Sequence, residues 1–368
     1  MIETSRCFLL LLTISLGLML SGCDVLGGDD DQGATPASSI IVANGGNFSD
    51  QNGTLTFYDP SSQKVTRSSS RAGFVQGVLE DDLGLMTLIN TFDRGRIDVL
   101  DPVSLSLAAQ FTDMDNPRDA IVVDGVLWVS TSTFGQPGQL ISISEAGVQR
   151  STSEVGYVPE GVASWSDRIV VANNGSLGSG TTLSVVSAET GDVETFETGC
   201  DGPRDVYTSS HLVIVCTGKT VYSDDFTQIL EQSSGQVVFL DEEFQVVSRI
   251  ALPDQAGSTN GTETAYHSVQ TNELFVTLAA SERVLTIDLE TRGITHELDL
   301  SGHPALVGLS GISYDAGRDH LYVGRFPQSS AGAFPDYAAS GTVQIMNREG
   351  EVLHSFGAGI SISAIMLR

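Results

Sequence analysis

The sequence predicts an all-β fold: a seven-bladed β-propeller with four antiparallel strands per blade, its ring closed by the C-terminal strand joining the N-terminal strands. Three observations predict it. A unit of two strands, a loop, an alternating strand, a turn and a fourth strand repeats six times. The segment before the first repeat, IIVANGGNFSDQNGTLTFYDP from residue 40, has the loop and third strand of that unit but no first strand. The chain then ends in GISISAIMLR, one apolar strand with no successor. Internal repetition at this period is the mark of a propeller array.

Residues 1–22 read as a processing segment. MIETSR carries a single Arg, CFLLLLTISLGLML is an apolar run short for a membrane span, and LSGC follows. This resembles a bacterial lipoprotein signal, which implies Cys23 as the lipidated first residue of the mature chain, held at the membrane through its acyl chains alone. Residues 23–38, beginning CDVLGGDDDQG, are acidic, rich in Gly and without apolar periodicity, and are expected to form a flexible tether. Residues 39–368 are expected to form the propeller.

The repeats begin at residues 77, 118, 160, 204, 264 and 310, with GVLEDDLGLMTLIN, RDAIVVDGVLWVSTS, EGVASWSDRIVVANN, RDVYTSSHLVIVCTG, TAYHSVQTNELFVTLAA and SGISYDAGRDHLYVGR. Each is a strand, a tight polar turn and a more apolar strand. Alternating strands follow, such as GRIDVLDP, TTLSVVSAETG and RVLTIDLET, and then a fourth strand such as VETFETG. Joined through the ends of the chain, GISISAIMLR and residues 40–67 complete a seventh blade. Closure of that kind leaves no free sheet edge.

Composition bounds the partners. The chain has 46 Asp and Glu against 18 Lys and Arg, a formal charge of -28, and only Lys64 and Lys219 as lysines. Such a surface repels phosphate backbones, which excludes nucleic acid, and it suits a protein that must stay soluble in high salt. Cys200 and Cys216 are the two cysteines of the propeller segment, separated by one local loop. Outside the cytoplasm they are disulfide candidates, with two buried free thiols as the alternative. There is no CxxC and no HExxH, so no metal site is expected from a short motif. No G-x-S-x-G elbow, phosphate loop or paired-carboxylate motif appears either, and binding is expected rather than catalysis.

The segment PEGVASWSDRIVVANN with TTLSVVSAETGDVETFETGCDGPRDV resembles the YVTN-type propeller repeat, and NGGNFSDQNGTLTFYDP after the Cys23 segment is similar to YncE-like surface lipoproteins of Bacteroidota and their relatives. Gly45 departs from the family start, where an acidic residue is common. The resemblance implies an outer-membrane lipoprotein, surface-exposed or facing the periplasm. It also implies a TonB-dependent receptor as partner and a corrinoid as ligand, since some members bind one. Propeller lactonases, which build a calcium site from dispersed Glu, Asn and Asp in the channel, keep calcium and a hydrolase open as the alternative. A protein-interaction scaffold or adhesin is the third reading.

Turn lengths place the site. First-to-second and third-to-fourth turns are trimmed close, while second-to-third loops and inter-blade loops are long, for instance GKTVYSDDFTQILEQSS and RFPQSSAGAFPDYAAS. Long irregular segments on one side of a rigid scaffold carry binding. Their aromatics Phe48, Phe134, Tyr222, Phe226, Phe326, Phe334 and Tyr337 form one candidate set. Arg118, Glu160 and Arg204 at blade starts form another, around the channel mouth, with the alternative that each Arg bridges blades through Asp119 and Asp205. Asn44, Asn90 and Asn173 close second strands near the same face. His267 and His303 at blade entries and Arg325 after LYVG complete the ligand-binding candidates.

Overall fold

The computed structural model describes residues 34–144, 147, 149–332 and 334–368. The signal segment, Cys23 and the tether up to residue 33 lie outside the described residues. The rest is a ring of seven four-stranded antiparallel sheets. Numbered from the first complete repeat, blade 1 runs Phe74–Asp81, Gly84–Asn90, Gly95–Leu100 and Leu107–Met114. Blade 2 opens at Pro117–Val123, blade 3 at Pro159–Trp165 and blade 4 at Pro203–Thr208. Blade 5 opens at Ala265–Ser268 and blade 6 at Ile312–Asp315. Blade 7 is the composite: Ile362–Leu367 is its innermost strand, and Ile40–Asn44, Thr54–Asp59 and Lys64–Arg67 follow outward.

The composite strand pairs antiparallel with its neighbour in the register Ile40↔Leu367, Val42↔Ile365 and Ala43↔Ala364. The termini lock further where Ser39 and Arg368 exchange backbone hydrogen bonds, at 3.0 and 2.9 Å.

Side-chain alternation explains why the sheets stack face to face. In the second strand of blade 3, Val170 and Ala172 pack into the cluster shared with blade 4, while Ile169 and Val171 pack into the cluster shared with blade 2. The same split holds at the seam: Ile40 and Val42 face blade 6, and Ile41 and Ala43 face blade 1. Seven apolar clusters fill seven blade interfaces. An open array of seven blades has only six interfaces, so the core itself is circular.

Two insertions depart from the expected loops. GKTVYSDDFTQILEQSS holds a small hairpin, Thr220–Tyr222 paired with Ile229–Gln232. Blade 6 carries an added short strand, Leu306–Val307, paired with Pro327 and Phe326. Its second strand therefore continues to Pro327, and Arg325 and Phe326 sit inside a sheet instead of in a loop.

Residues 34–38 are not free of the propeller. Ala37 N–H donates to Asp315 Oδ2 at 3.1 Å, and Arg318 donates to the Ala37 carbonyl at 2.6 Å, so this end of the expected tether lies against the first turn of blade 6.

Candidate functional site

Strands alternate in direction within a blade, so second-to-third loops and inter-blade loops emerge on one face. Among the described residues, the exposed aromatics are Phe48, Phe92, Phe134, Tyr157, Tyr222, Phe226, Phe334 and Tyr337, and all eight lie on that face. The opposite face shows exposed Val103 and Val269 in its turns but no exposed aromatic. Some rings hold their loops: Phe48 meets Phe92 edge-on with centroids 5.1 Å apart, joining loops of blades 7 and 1, and Tyr222 lies 5.9 Å from Phe226 in the blade 4 insertion. Phe134 is 100% exposed. Phe326 is a correction, because at 1% exposure it is core and supports Tyr337 from below at 5.3 Å.

Several polar candidates are engaged in structure. Asn44 Oδ1 accepts from the Gly359 N–H at 2.8 Å, while its amide donates to the Thr54 and Thr56 hydroxyls. Asn173 repeats the device with the Gly156 N–H at 3.0 Å and the Thr182 and Ser184 hydroxyls. Each is a latch from a second strand to the outer strand of the preceding blade. Gly fits opposite because any Cβ at 156 or 359 would run into the Asn side chain. Neither Asn is available to a ligand. Asn90 differs: its amide reaches Gln76 Oε1 at 3.4 Å and its Oδ1 is buried without a partner.

Arg325 is also a correction. At 1% exposure it donates to the Gly308 carbonyl at 2.7 Å and pairs with Glu282 at 2.6 Å, tying blade 6 to blade 5. His303 caps its own turn, accepting from the Ala305 and Leu306 N–H groups. His267 lies on the blade 5 inner strand toward the trimmed face, not at the blade entry. Its Nε2 is buried without a partner, and burial holds the imidazole below its ordinary pKa.

The channel gathers the blade starts. Arg118 of blade 2 forks onto Glu160 of blade 3 through Nη2 at 2.8 Å and Nε at 3.1 Å, and Arg204 of blade 4 reaches Glu160 at 3.5 Å and the Gly261 carbonyl at 2.6 Å. The arginines thus converge on Glu160 rather than on their neighbours Asp119 and Asp205. Asp119 instead accepts the Ala120 and Val162 N–H groups, both at 2.8 Å. Glu263, unremarked in the sequence because no Pro precedes it as one precedes Arg118, Glu160 and Arg204, lies just before blade 5. Its Oε2 accepts N–H groups from Ile312 of blade 6 and Ile365 of blade 7.

These carboxyls surround a central cavity of about 230 Å³. Desolvation, the largest cause, raises Asp119 to about 6, Asp205 to about 7 and Glu263 to about 8, and repulsion from the neighbouring carboxylates adds to it. Burial pushes the Tyr207 phenol up as well, and its hydroxyl donates to the Ala265 carbonyl at 2.6 Å. The acids are too dispersed to chelate: among the described residues no three His, Cys, Asp or Glu side chains converge as a metal site.

On the loop face, a cleft of about 340 Å³ runs between blades 3, 4 and 5, lined by Asn174, Leu177, Tyr222, Gln255 and Arg204. Arg204 also lines the channel cavity, so cleft and cavity meet at its guanidinium. Cys200 and Cys216 are disulfide-bonded beside this region, joining the end of the second strand of blade 4 to the loop that precedes the blade. Lys219 pairs with Glu231 at 2.8 Å across the insertion.

These features define the class: a closed seven-bladed β-propeller with one aromatic face and an acid-lined channel. No family model and no curated relative matches the chain. Solved structures do. The chain is similar to a hypothetical selenium-binding protein from Sulfolobus tokodaii, with a TM-score of 0.67 at 11% identity over 91% of this chain and 94% of that one. A functionally unknown protein from Desulfotomaculum acetoxidans gives 0.62 at 12% identity over 90% and 99%. Dihydro-heme d1 dehydrogenase NirN in complex with DHE gives 0.55 at 14% identity over 93% and 77%. At these identities the likeness is one of fold.

Proposed function

We propose that this protein is a lipid-anchored binding propeller of the cell envelope whose loop face captures a small nutrient and docks on a partner, a TonB-dependent outer-membrane receptor. One observation supports the reading above the others: every exposed aromatic among the described residues lies on that face. Exposed aromatics concentrated on one surface are the composition of a contact site, because each brings a large apolar area at little entropic cost. The cleft beside Arg204 and Tyr222 is the part of this face shaped for a small molecule, and a cavity of about 340 Å³ is of ligand size. A corrinoid is larger than the cleft and would lie across it, against Tyr222, Phe226 and Leu177.

The aromatics spread over blades 7, 1, 2, 4 and 6, wider than one small molecule can touch. That spread favours a protein partner for the rim.

The test replaces residues 219–233 by a short Gly-containing turn in one variant and changes Phe134 and Phe334 to Ser in another. Calorimetric titration with cobalamin is expected to lose its signal in the first variant and keep it in the second. Co-purification with the co-expressed receptor is expected to fail in the second. Unaltered cobalamin and receptor binding in both variants would place the function elsewhere on the disk.

A further inference from the structure

The cleft between blades 3, 4 and 5 differs in charge from the rest of the molecule. The chain carries 46 acidic residues against 18 basic ones, yet none of the 14 residues lining this cleft is acidic, and its one charged side chain is Arg204. That charge is poorly matched. Arg118 forks onto Glu160 at 2.8 and 3.1 Å, while Arg204 stands 3.5 Å from the same carboxylate. Asp205 beside it is raised to about 7 by burial and does not supply a full counter-charge at neutral pH. Arg204 donates through Nη2 to the Gly261 carbonyl, but among the described residues its Nε and Nη1 find no acceptor, and neither nitrogen is closed off from solvent. A guanidinium with open donors in a cleft free of acids is a place for an anion.

A second open atom lies next to it. Asn174 is 7% exposed, and its Nδ2 donates at 3.1 Å to the carbonyl of Gly202, two residues before Arg204. That carbonyl partner fixes which end of the amide is nitrogen. Asn174 Oδ1 accepts no hydrogen bond among the described residues, and it too is open to solvent where the residue lines the cleft. Leu177 and Tyr222, far more exposed, give the same cleft an apolar wall.

We propose that this cleft binds a small hydroxylated carboxylate of the sugar-acid class, with its carboxylate on Arg204, a hydroxyl on Asn174 Oδ1 and its ring against Tyr222 and Leu177. The inference rests on the capture role proposed for the loop face and names the chemistry of the captured molecule. One weakly paired guanidinium matches a single negative charge. An amino acid would bring an ammonium group for which the cleft lining offers no carboxylate, so the donor that meets Asn174 is a neutral hydroxyl. Size agrees: about 340 Å³ is the share of roughly eleven waters at about 30 Å³ each, room for one six-membered ring with its substituents.

The experiment is calorimetric titration of the full-length protein in detergent with D-glucuronate and D-galacturonate, in about 0.5 M NaCl so that long-range repulsion from the acidic surface is screened, with cobalamin titrated in parallel. The expected result is one site per chain for at least one uronate, with binding at least about tenfold weaker for the corresponding neutral sugar and for cyclohexanecarboxylate, which lacks the hydroxyls. Arg204→Gln is expected to weaken uronate binding at least about tenfold. Should that variant fail to fold, Leu177→Asp at an exposed position brings a like charge into the cleft and is expected to do the same. Absence of saturable binding of both uronates, or binding that neither the variants nor loss of the carboxylate weakens, would overturn the proposal. Cobalamin binding in that event would leave the loop face standing as a capture surface, and silence of cobalamin as well would remove both.

Discussion

Blade 7 and blade 4 depart from the four-strand repeat in opposite directions. Blade 7 is assembled inward from two ends of the chain: all five residues of Ile40–Asn44 are buried, and Ser363 on its inner strand donates to the Val75 carbonyl of blade 1 at 2.6 Å. Blade 4 grows outward, with a hairpin that leaves Tyr222, Phe226, Ile229 and Leu230 exposed. The first departure removes surface and the second creates it. Burial is gained where the repeat is interrupted inward, and exposed apolar surface where it is interrupted outward.

Deleting residues 361–368 tests the inward half and has the largest expected effect. It strips the inner strand from blade 7 and opens the clusters shared with blades 6 and 1. Calorimetry should show no cooperative transition for the truncated chain, whereas a near-normal melting temperature would mean that the seam is dispensable. Next is Arg325→Met, which leaves Glu282 unpaired and frees the Gly308 carbonyl. Breaking a buried pair from one side costs about 3–5 kcal/mol, to be read from urea denaturation.

Third is pH. Burial raises Asp119, Asp205 and Glu263 above their ordinary values of 3.8, 3.8 and 4.5, so the folded ring holds these protons more tightly than the unfolded chain. Their contribution is full below pH 3.8 and is lost as pH rises through about 6, 7 and 8. The slope approaches about 1.4 kcal/mol per pH unit for each carboxyl within its window. At the acid end, Asp59 and Asp288 act in the opposite sense. The Ser62 hydroxyl leads among the donors to Asp59 and the Thr291 N–H among those to Asp288, holding both pKa values low, so their contribution fades as pH falls below 3.8. The melting temperature is therefore expected to peak near pH 4 to 5 and decline toward 8, and the double variant Asp205→Asn, Glu263→Gln should flatten the decline. A melting temperature that climbs from pH 5 to 8 would contradict the channel chemistry.

The two Asn latches give a smaller effect and compare seam with interior directly. Asn44→Ala leaves the buried Gly359 N–H unpaired, at about 1–3 kcal/mol, whereas after Asn173→Ala the partly buried Gly156 N–H keeps the Ser184 hydroxyl at 3.2 Å, and the cost is expected to be smaller. A larger cost for Asn44 by denaturant titration is the expected result, and equal costs would show that the Ser184 hydroxyl does not hold the Gly156 N–H once Asn173 is gone. The smallest change in stability is expected for exchanging residues 219–233 for a short turn, within about 1 kcal/mol, because loop length alters closure entropy slowly.

The ring was legible in the sequence because backbone pairing follows a strict rule: a strand pair without a predecessor and a strand without a successor leave edges that must meet. The side-chain site was less legible. Asn44 and Asn173 stand at strand ends and Arg325 inside a strand, and sequence position alone does not reveal that a neighbouring blade supplies Gly359, Gly156 or Glu282 as the partner. Arg118 and Arg204 line the channel cavity, but their partner is Glu160, 42 positions from Arg118, not the adjacent aspartates. Glu263 carried one readable signal, its place directly before the fifth repeat, as Glu160 stands at the head of the third. The loop aromatics were the most readable because exposure there follows from loop length, and Phe326 failed only where an added strand covered it.

The seam also sets a timetable. Ile40–Asn44 emerges among the first parts of the propeller during synthesis, yet its partner Ile362–Leu367 is the last propeller strand to follow. For the whole intervening time an apolar strand has one bare edge, and a bare apolar edge invites pairing with another chain. Pairing residues so distant in sequence also makes the closing step slow. Until that six-residue strand arrives, the edge of Ile40–Asn44 is the place where two nascent chains would pair with each other.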